Sequence, residues 1–150
     1  MNKAFLSLNF MHFMERFATQ IYRTQRGSFK DKPAFQQLTD ASDNEGTHVR
    51  KLRVCIAGLN SWVYPLGWLF QFVGLVVGLL TRLCGKRNLF RADVFVETRA
   101  VKDYNGFLKS IPFDSYTVDM IKGIIADEEV HIINWKQAME SLDTQKPLPA

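Results

Sequence analysis

The chain has 150 residues, 47% of them hydrophobic, with a formal charge of +4 and a pI near 9.2. That fits one globular domain over 1–150, long enough to bury a core without staples. Cys55 and Cys84 have no paired spacing, which excludes a disulfide framework and favours a reducing compartment, and the mild basicity comes with no zinc-finger, RNA-binding or phosphate-loop motif, so no nucleic acid partner is expected.

Residues 3–26 read as a first helix, because Phe5, Leu8, Met11, Ala18, Ile21 and Tyr22 recur at three-, four- and seven-residue steps. The opening MNKAFLSLNFMHFM has a faint signal-peptide flavour. It runs straight into Glu15 and Arg16 without a small-residue cleavage site, so it reads as the first turns of this helix. Gly27 and Ser28 stop the helix, and Pro33 suits the first turn of a second one over 33–58. Gly58, Asn60 and Pro65 mark a break. Residues 62–84 form an apolar run, WVYPLGWLFQFVGLVVGLLTRLC, flanked by Arg and Lys on both sides. A third bundle helix is expected over 89–109, a loop with capping residues at Pro112 and 114–117, and a last helix over 117–142. The tail, TQKPLPA, reads as frayed.

Two stretches repeat. Residues 15–22 read ERFATQIY and residues 97–104 read ETRAVKDY, both E-x-x-A-x-x-x-Y, with Glu and Tyr on one helix face. Each is followed by an E-x-x-H pair, Glu45 with His48 and Glu128 with His131, at separations of 30 residues (15 to 45) and 31 residues (97 to 128). The pattern predicts two similar helical hairpins, hence an all-α, ferritin-like antiparallel four-helix bundle with an apolar crossover helix at about 62–84. Packed face to face, the hairpins bring Glu15, Glu45, His48, Glu97, Glu128 and His131 to the bundle centre. Four ionised carboxylates there repel one another and lack solvent, and two divalent cations cancel that charge. Mixed carboxylate and imidazole donors suit two iron ions, with manganese as the second choice. Asp127, four residues before His131, is placed to hold that ring's other nitrogen, and Asn44 stands in the equivalent place before His48. His12 has no counterpart in the repeat and is not expected to be a ligand.

The ligand order, Ile21-Tyr22 in the first helix, Val96-Glu97 opening the third, Tyr104-Asn105 seven residues later and the apolar run ending in Gly85-Lys86 resemble the demethoxyubiquinone hydroxylase family of ubiquinone biosynthesis. The likeness covers about 12–135. It implies a membrane-associated di-iron monooxygenase that hydroxylates a quinone-like lipid with O2 and electrons from a donor the sequence does not name. Tyr104 and Tyr22 would then lie beside the metals as hydrogen-bonding or electron-transfer groups. Asp103 stands where the family commonly has His.

The 19 residues from Trp62 to Leu80 match a bilayer in length, and Gly74 and Gly78 form a GxxxG pair that lets helices approach closely. Three readings are open: a helix on the membrane interface, a crossover buried on the bundle or at a homo-oligomer contact, and a spanning helix. The expected location is the cytoplasmic side of a membrane, peripherally attached, with soluble cytoplasmic protein as the alternative. Two rivals to the hydroxylase are a ferritin-like or rubrerythrin-like iron oxidase or peroxide reductase, and a non-enzymatic membrane-interaction module held together by metal.

Overall fold

The computed structural model describes residues 2–30 and 32–144. It contains five helices: α1 (Lys3–Gln25), α2 (Lys32–Gly58), α3 (Gly67–Leu83), α4 (Lys86–Ser110) and α5 (Ser115–Thr144). No strand occurs among the described residues. Asn2 caps α1 by accepting the Ala4 amide at 3.0 Å. A short 3-10 turn at Arg26–Ser28 follows, where the sequence places its glycine and serine. Asp114 caps α5, accepting the Thr117 amide at 3.0 Å and the Thr117 hydroxyl at 2.7 Å. The expected frayed tail falls, from residue 145 on, outside the described residues.

Short connections fold α1 against α2 and α4 against α5, giving two antiparallel hairpins. The hairpins meet through α1 with α4 and α2 with α5, the arrangement of a ferritin-like bundle. Two apolar clusters fill it, one on each side of the polar centre. Leu8, Met11, Leu52, Ile56, Ile121 and Ile124 belong to one. In the other, Trp135 stacks on Phe90 at 5.6 Å between ring centroids and tilts against Tyr22 at 5.4 Å.

The crossover helix α3 begins at Gly67, five residues later than the apolar run. Hydropathy marks where the chain is apolar, while Pro65 denies helical backbone to its predecessor and delays the start. At 17 residues α3 is about 25 Å long, and no helix among the described residues is long and apolar enough to cross a membrane. The spanning reading is therefore set aside. The buried-crossover reading holds for one stripe only. Gly67, Gly74 and Gly78 are the buried residues of α3, and its other side is open, with Trp68 64% and Phe72 58% exposed. A Cβ on Gly74 would sit 2.5 Å from the Phe17 carbonyl oxygen, and one on Gly78 would sit 2.8 Å from Thr24 Cβ. The GxxxG pair thus lets α3 lie directly on the backbone of α1. Gly85, at φ +82°, takes a left-handed conformation that side chains avoid and turns the chain from α3 into α4.

Candidate metal centre

Glu15 on α1, Glu45 and His48 on α2, Glu97 on α4, and Glu128 and His131 on α5 are all buried. E-x-x-H on a helix sends both side chains to one face, and the hairpin sets the preceding helix's Glu opposite. The six fall into two overlapping groups, Glu15, Glu45, His48 and Glu128, and Glu45, Glu97, Glu128 and His131. Within each group the donor atoms lie within 4.8 Å of one another. Glu45 and Glu128 belong to both, as bridging carboxylates do.

One imidazole nitrogen faces three carboxylates in each half. His48 Nδ1 lies 3.3 Å from Glu15, 3.5 Å from Glu45 and 3.2 Å from Glu128. His131 Nδ1 lies 3.2 Å from Glu45, 3.5 Å from Glu97 and 3.1 Å from Glu128. A single N–H serves one acceptor well. Both Glu45 oxygens and Glu128 Oε1 are accordingly left without a properly directed hydrogen bond, although they touch the rings. Buried carboxylate oxygens in that condition are costly, and a cation at the shared focus satisfies several at once. The donor set fits a pair of divalent cations on these observations.

The electrostatics point the same way. Burial, then the Glu45 charge, push Glu15 well above the usual carboxylate range; burial, then Glu128 and Glu45, do so for Glu97. Burial also works against ionised Glu45, but the closeness of Glu15 and of the His131 and His48 imidazoles outweighs it and holds this carboxyl below its usual range. Burial alone would depress both histidines; the carboxylates around them, Glu128 foremost, override it and raise both. Without metal the centre thus holds itself together with protons.

Two tyrosines close it. The Tyr22 hydroxyl donates to Glu97 and the Tyr104 hydroxyl donates to Glu15, each crossing between α1 and α4. Burial and the neighbouring carboxylates raise both phenols well above their ordinary value, so they are neutral donors. Both sequence-predicted tyrosines are therefore in contact with the carboxylates.

Asp127 does not serve His131. Its Oδ2 lies 2.9 Å from Nε2 of His48, on the other hairpin. Asp127 on α5 faces His48 on α2 across the interface between the hairpins, so this contact runs between helices and not along one. Asn44 Oδ1 is buried without a partner. His12 is buried with neither ring nitrogen bonded and lies outside both groups; burial, then Arg16 and Arg53, lower its pKa to about 4. Asp103 makes an ion pair with Arg99 at 2.8 Å.

Sequence reading missed a buried polar strap next to the centre. Gln25 Nε2 donates to Asp93 at 2.8 Å and to Thr81 at 3.1 Å, joining α1, α4 and α3. Asp93 stands four residues before Glu97 and Gln25 three after Tyr22, so helical spacing alone put both on inward faces.

No curated protein sequence matches the chain at a significant level. The profile of one family matches nearly its whole length, residues 8–148, and that family is described as ubiquinone biosynthesis protein COQ7. Two hairpins, each contributing Glu and Glu-x-x-His to one buried centre, and a glycine-striped apolar helix laid across α1 stand within that match, and the chain belongs to the COQ7 family of ubiquinone biosynthesis proteins.

Proposed function

We propose that the chain holds two iron ions in the centre and hydroxylates the ring of a demethoxyubiquinone-like lipid, using O2 and electrons from an external donor. The observation that carries this is the pair of overlapping buried donor groups sharing Glu45 and Glu128. Glu15 and His48 complete one half, and Glu97 and His131 the other. Iron, when bound, supplies oxygen activation. The chain's own residues do the rest: Tyr104 and Tyr22 fix the carboxylates of Glu15 and Glu97, and the apolar clusters on either side exclude water.

A lipid substrate is supported by what lies outside the centre. Met14 lines a residual cavity of about 10 Å³ against Glu15, Glu97, Glu128 and Tyr104. It also lines an apolar groove of about 270 Å³ with Phe17, Leu69, Phe70 and Val73, at the seam of α1 and α3. The inner space is too small for a ring, so admitting one requires a side chain to move. Met14, unbranched and flexible, is suited to that. The groove continues onto the open apolar side of α3, and its flanking cations favour an anionic lipid surface.

Two experiments test the proposal. Cells lacking demethoxyubiquinone hydroxylase are expected to regain hydroxylated quinone with the wild-type chain and not with Glu45→Ala. A well-expressed, iron-loaded chain that restores none overturns the hydroxylase reading and moves the function to an iron oxidase or peroxide reductase. Co-sedimentation with anionic vesicles is expected for wild type and reduced when the exposed Trp68, Phe72 and Leu79 are changed to Glu. Unchanged sedimentation of a folded variant removes the membrane step.

A further inference from the structure

The two halves of the centre match in their carboxylates and imidazoles but not behind the imidazoles. His48 Nε2 meets the carboxylate of Asp127, which reaches across from α5 at 2.9 Å. The position related to Asp127 by the internal repeat, four residues before His48, holds a neutral amide, Asn44. Its Oδ1 is buried without a partner, and Asn44 and His131 line the same cleft between α2 and α5. That cleft, about 270 Å³, is also lined by Asp40, Asp127 and Asn134. His48 is sealed at 0% exposure, whereas His131, at 8%, forms part of the cleft wall.

A carboxylate behind an imidazole makes the inward nitrogen a stronger donor to metal; Asp127 does this for His48, whereas Asn44 Oδ1 bonds to nothing and gives His131 no such support. Outer partners of this kind are worth about 10–100-fold in metal affinity when removed. Charge and access therefore differ in the same direction.

On the reading that the chain holds two divalent cations, we propose that they are unequal: the one among Glu15, Glu45, Glu128 and His48 is tight and sealed, and the one among Glu45, Glu97, Glu128 and His131 is weaker and exchanges through the α2–α5 cleft. Asp127 is the positioning residue that sets this order, and Asn44 marks the place in the other half where such a carboxylate is lacking. A small ligand arriving from solvent meets the His131-side cation first.

The test uses Mn²⁺ on the full chain, with bound and free ion followed by electron paramagnetic resonance and release followed after adding a chelator. Two cations sharing carboxylates repel each other, so unequal steps in wild type are not the readout. The readout is how the steps move. Wild type is expected to lose one Mn²⁺ quickly and one slowly. Asn44→Asp is expected to slow the fast phase about tenfold or more, bringing the phases together. Asp127→Asn, at a half-exposed side chain that tolerates change, is expected to speed the slow phase about 10–100-fold. Release of both ions in one phase, or phases unmoved in both variants, overturns the proposal and leaves the two-cation reading intact. Retention of no Mn²⁺ at all overturns that reading, and the proposal with it.

Discussion

Tyr104 on α4 donates its hydroxyl to the carboxyl of Glu15 on α1, a bond wholly removed from solvent. Tyr22 on α1 returns the same bond to Glu97 on α4. Tyr104→Phe keeps the ring packing and leaves a buried acid without its donor. The expected cost is about 1–3 kcal/mol in the metal-free protein. Urea unfolding of chelator-treated protein measures it, and a loss within error would mean that the hydroxyl does not hold Glu15.

The overlapping donor groups predict a stoichiometry pattern. Glu97 belongs to one group only, and Glu45 to both. Glu97→Ala is expected to reduce bound metal from two ions per chain towards one, while Glu45→Ala strips both. Elemental analysis after gel filtration reads this directly. Two tightly held ions in the Glu97→Ala protein would mean that the ligand assignment is wrong.

Metal uptake should release protons. Glu15, Glu97, His48 and His131 are all raised above their ordinary pKa values in the metal-free centre, so incoming cations must displace those protons. Affinity is expected to rise with pH from the acid range through neutrality. Calorimetric titrations in buffers of different ionisation heat count the protons, and a binding heat independent of buffer would contradict the picture.

Asp93 gives a pH-dependent stability. Burial holds its carboxyl well above the usual range, against the hydrogen bond from Gln25, so folding disfavours its ionised form. A raised folded pKa contributes stability in full below the unfolded value, about 3.9, and that contribution is lost as pH rises through the folded value. Asp93→Asn keeps an acceptor for Gln25 and removes the titration. The variant should match wild type near pH 4 and exceed it increasingly towards pH 8 in denaturant midpoint. A difference that is flat with pH would show Asp93 to be ionised.

Gly74 tests the seat of α3. The Cβ of Gly74→Val would collide with the Phe17 carbonyl, which is backbone and cannot swing aside. The expected penalty is about 1–3 kcal/mol, with α3 lifted from α1. Gly106, where a Cβ meets nothing within 4 Å, is the matched control, and Gly106→Ala should not destabilise. Protease sensitivity of the 59–85 segment distinguishes detachment from global unfolding.

The repeat made the bundle and its six central donors legible, because each helix advertises its inward face by spacing, and nearly equal separations imply equal hairpins. Contacts across helices were not legible in the same way. Spacing along one helix points Asp127 to His131, whereas it serves His48 on another. For the Gln25, Asp93 and Thr81 strap, spacing marks Gln25 and Asp93 as inward-facing but does not pair them, since the three members come from three helices. Composition identified the apolar crossover, but its helix start depended on Pro65 and its seating on which glycines face α1.

The glycine contact has a mechanical consequence. Gly74 and Gly78 bear on α1 at Phe17, Ile21 and Thr24, within or next to the stretch between Glu15 and Tyr22. That stretch has the carboxylates on one side and α3 on the other, and at Gly74 the two helices meet with the Phe17 carbonyl as the nearest atom. The close seat of α3 predicts that displacing it shifts the backbone that carries Glu15. Gly74→Val, which lifts α3, is then expected to weaken metal retention as well as stability, and unchanged retention in a folded variant would show the two to be independent.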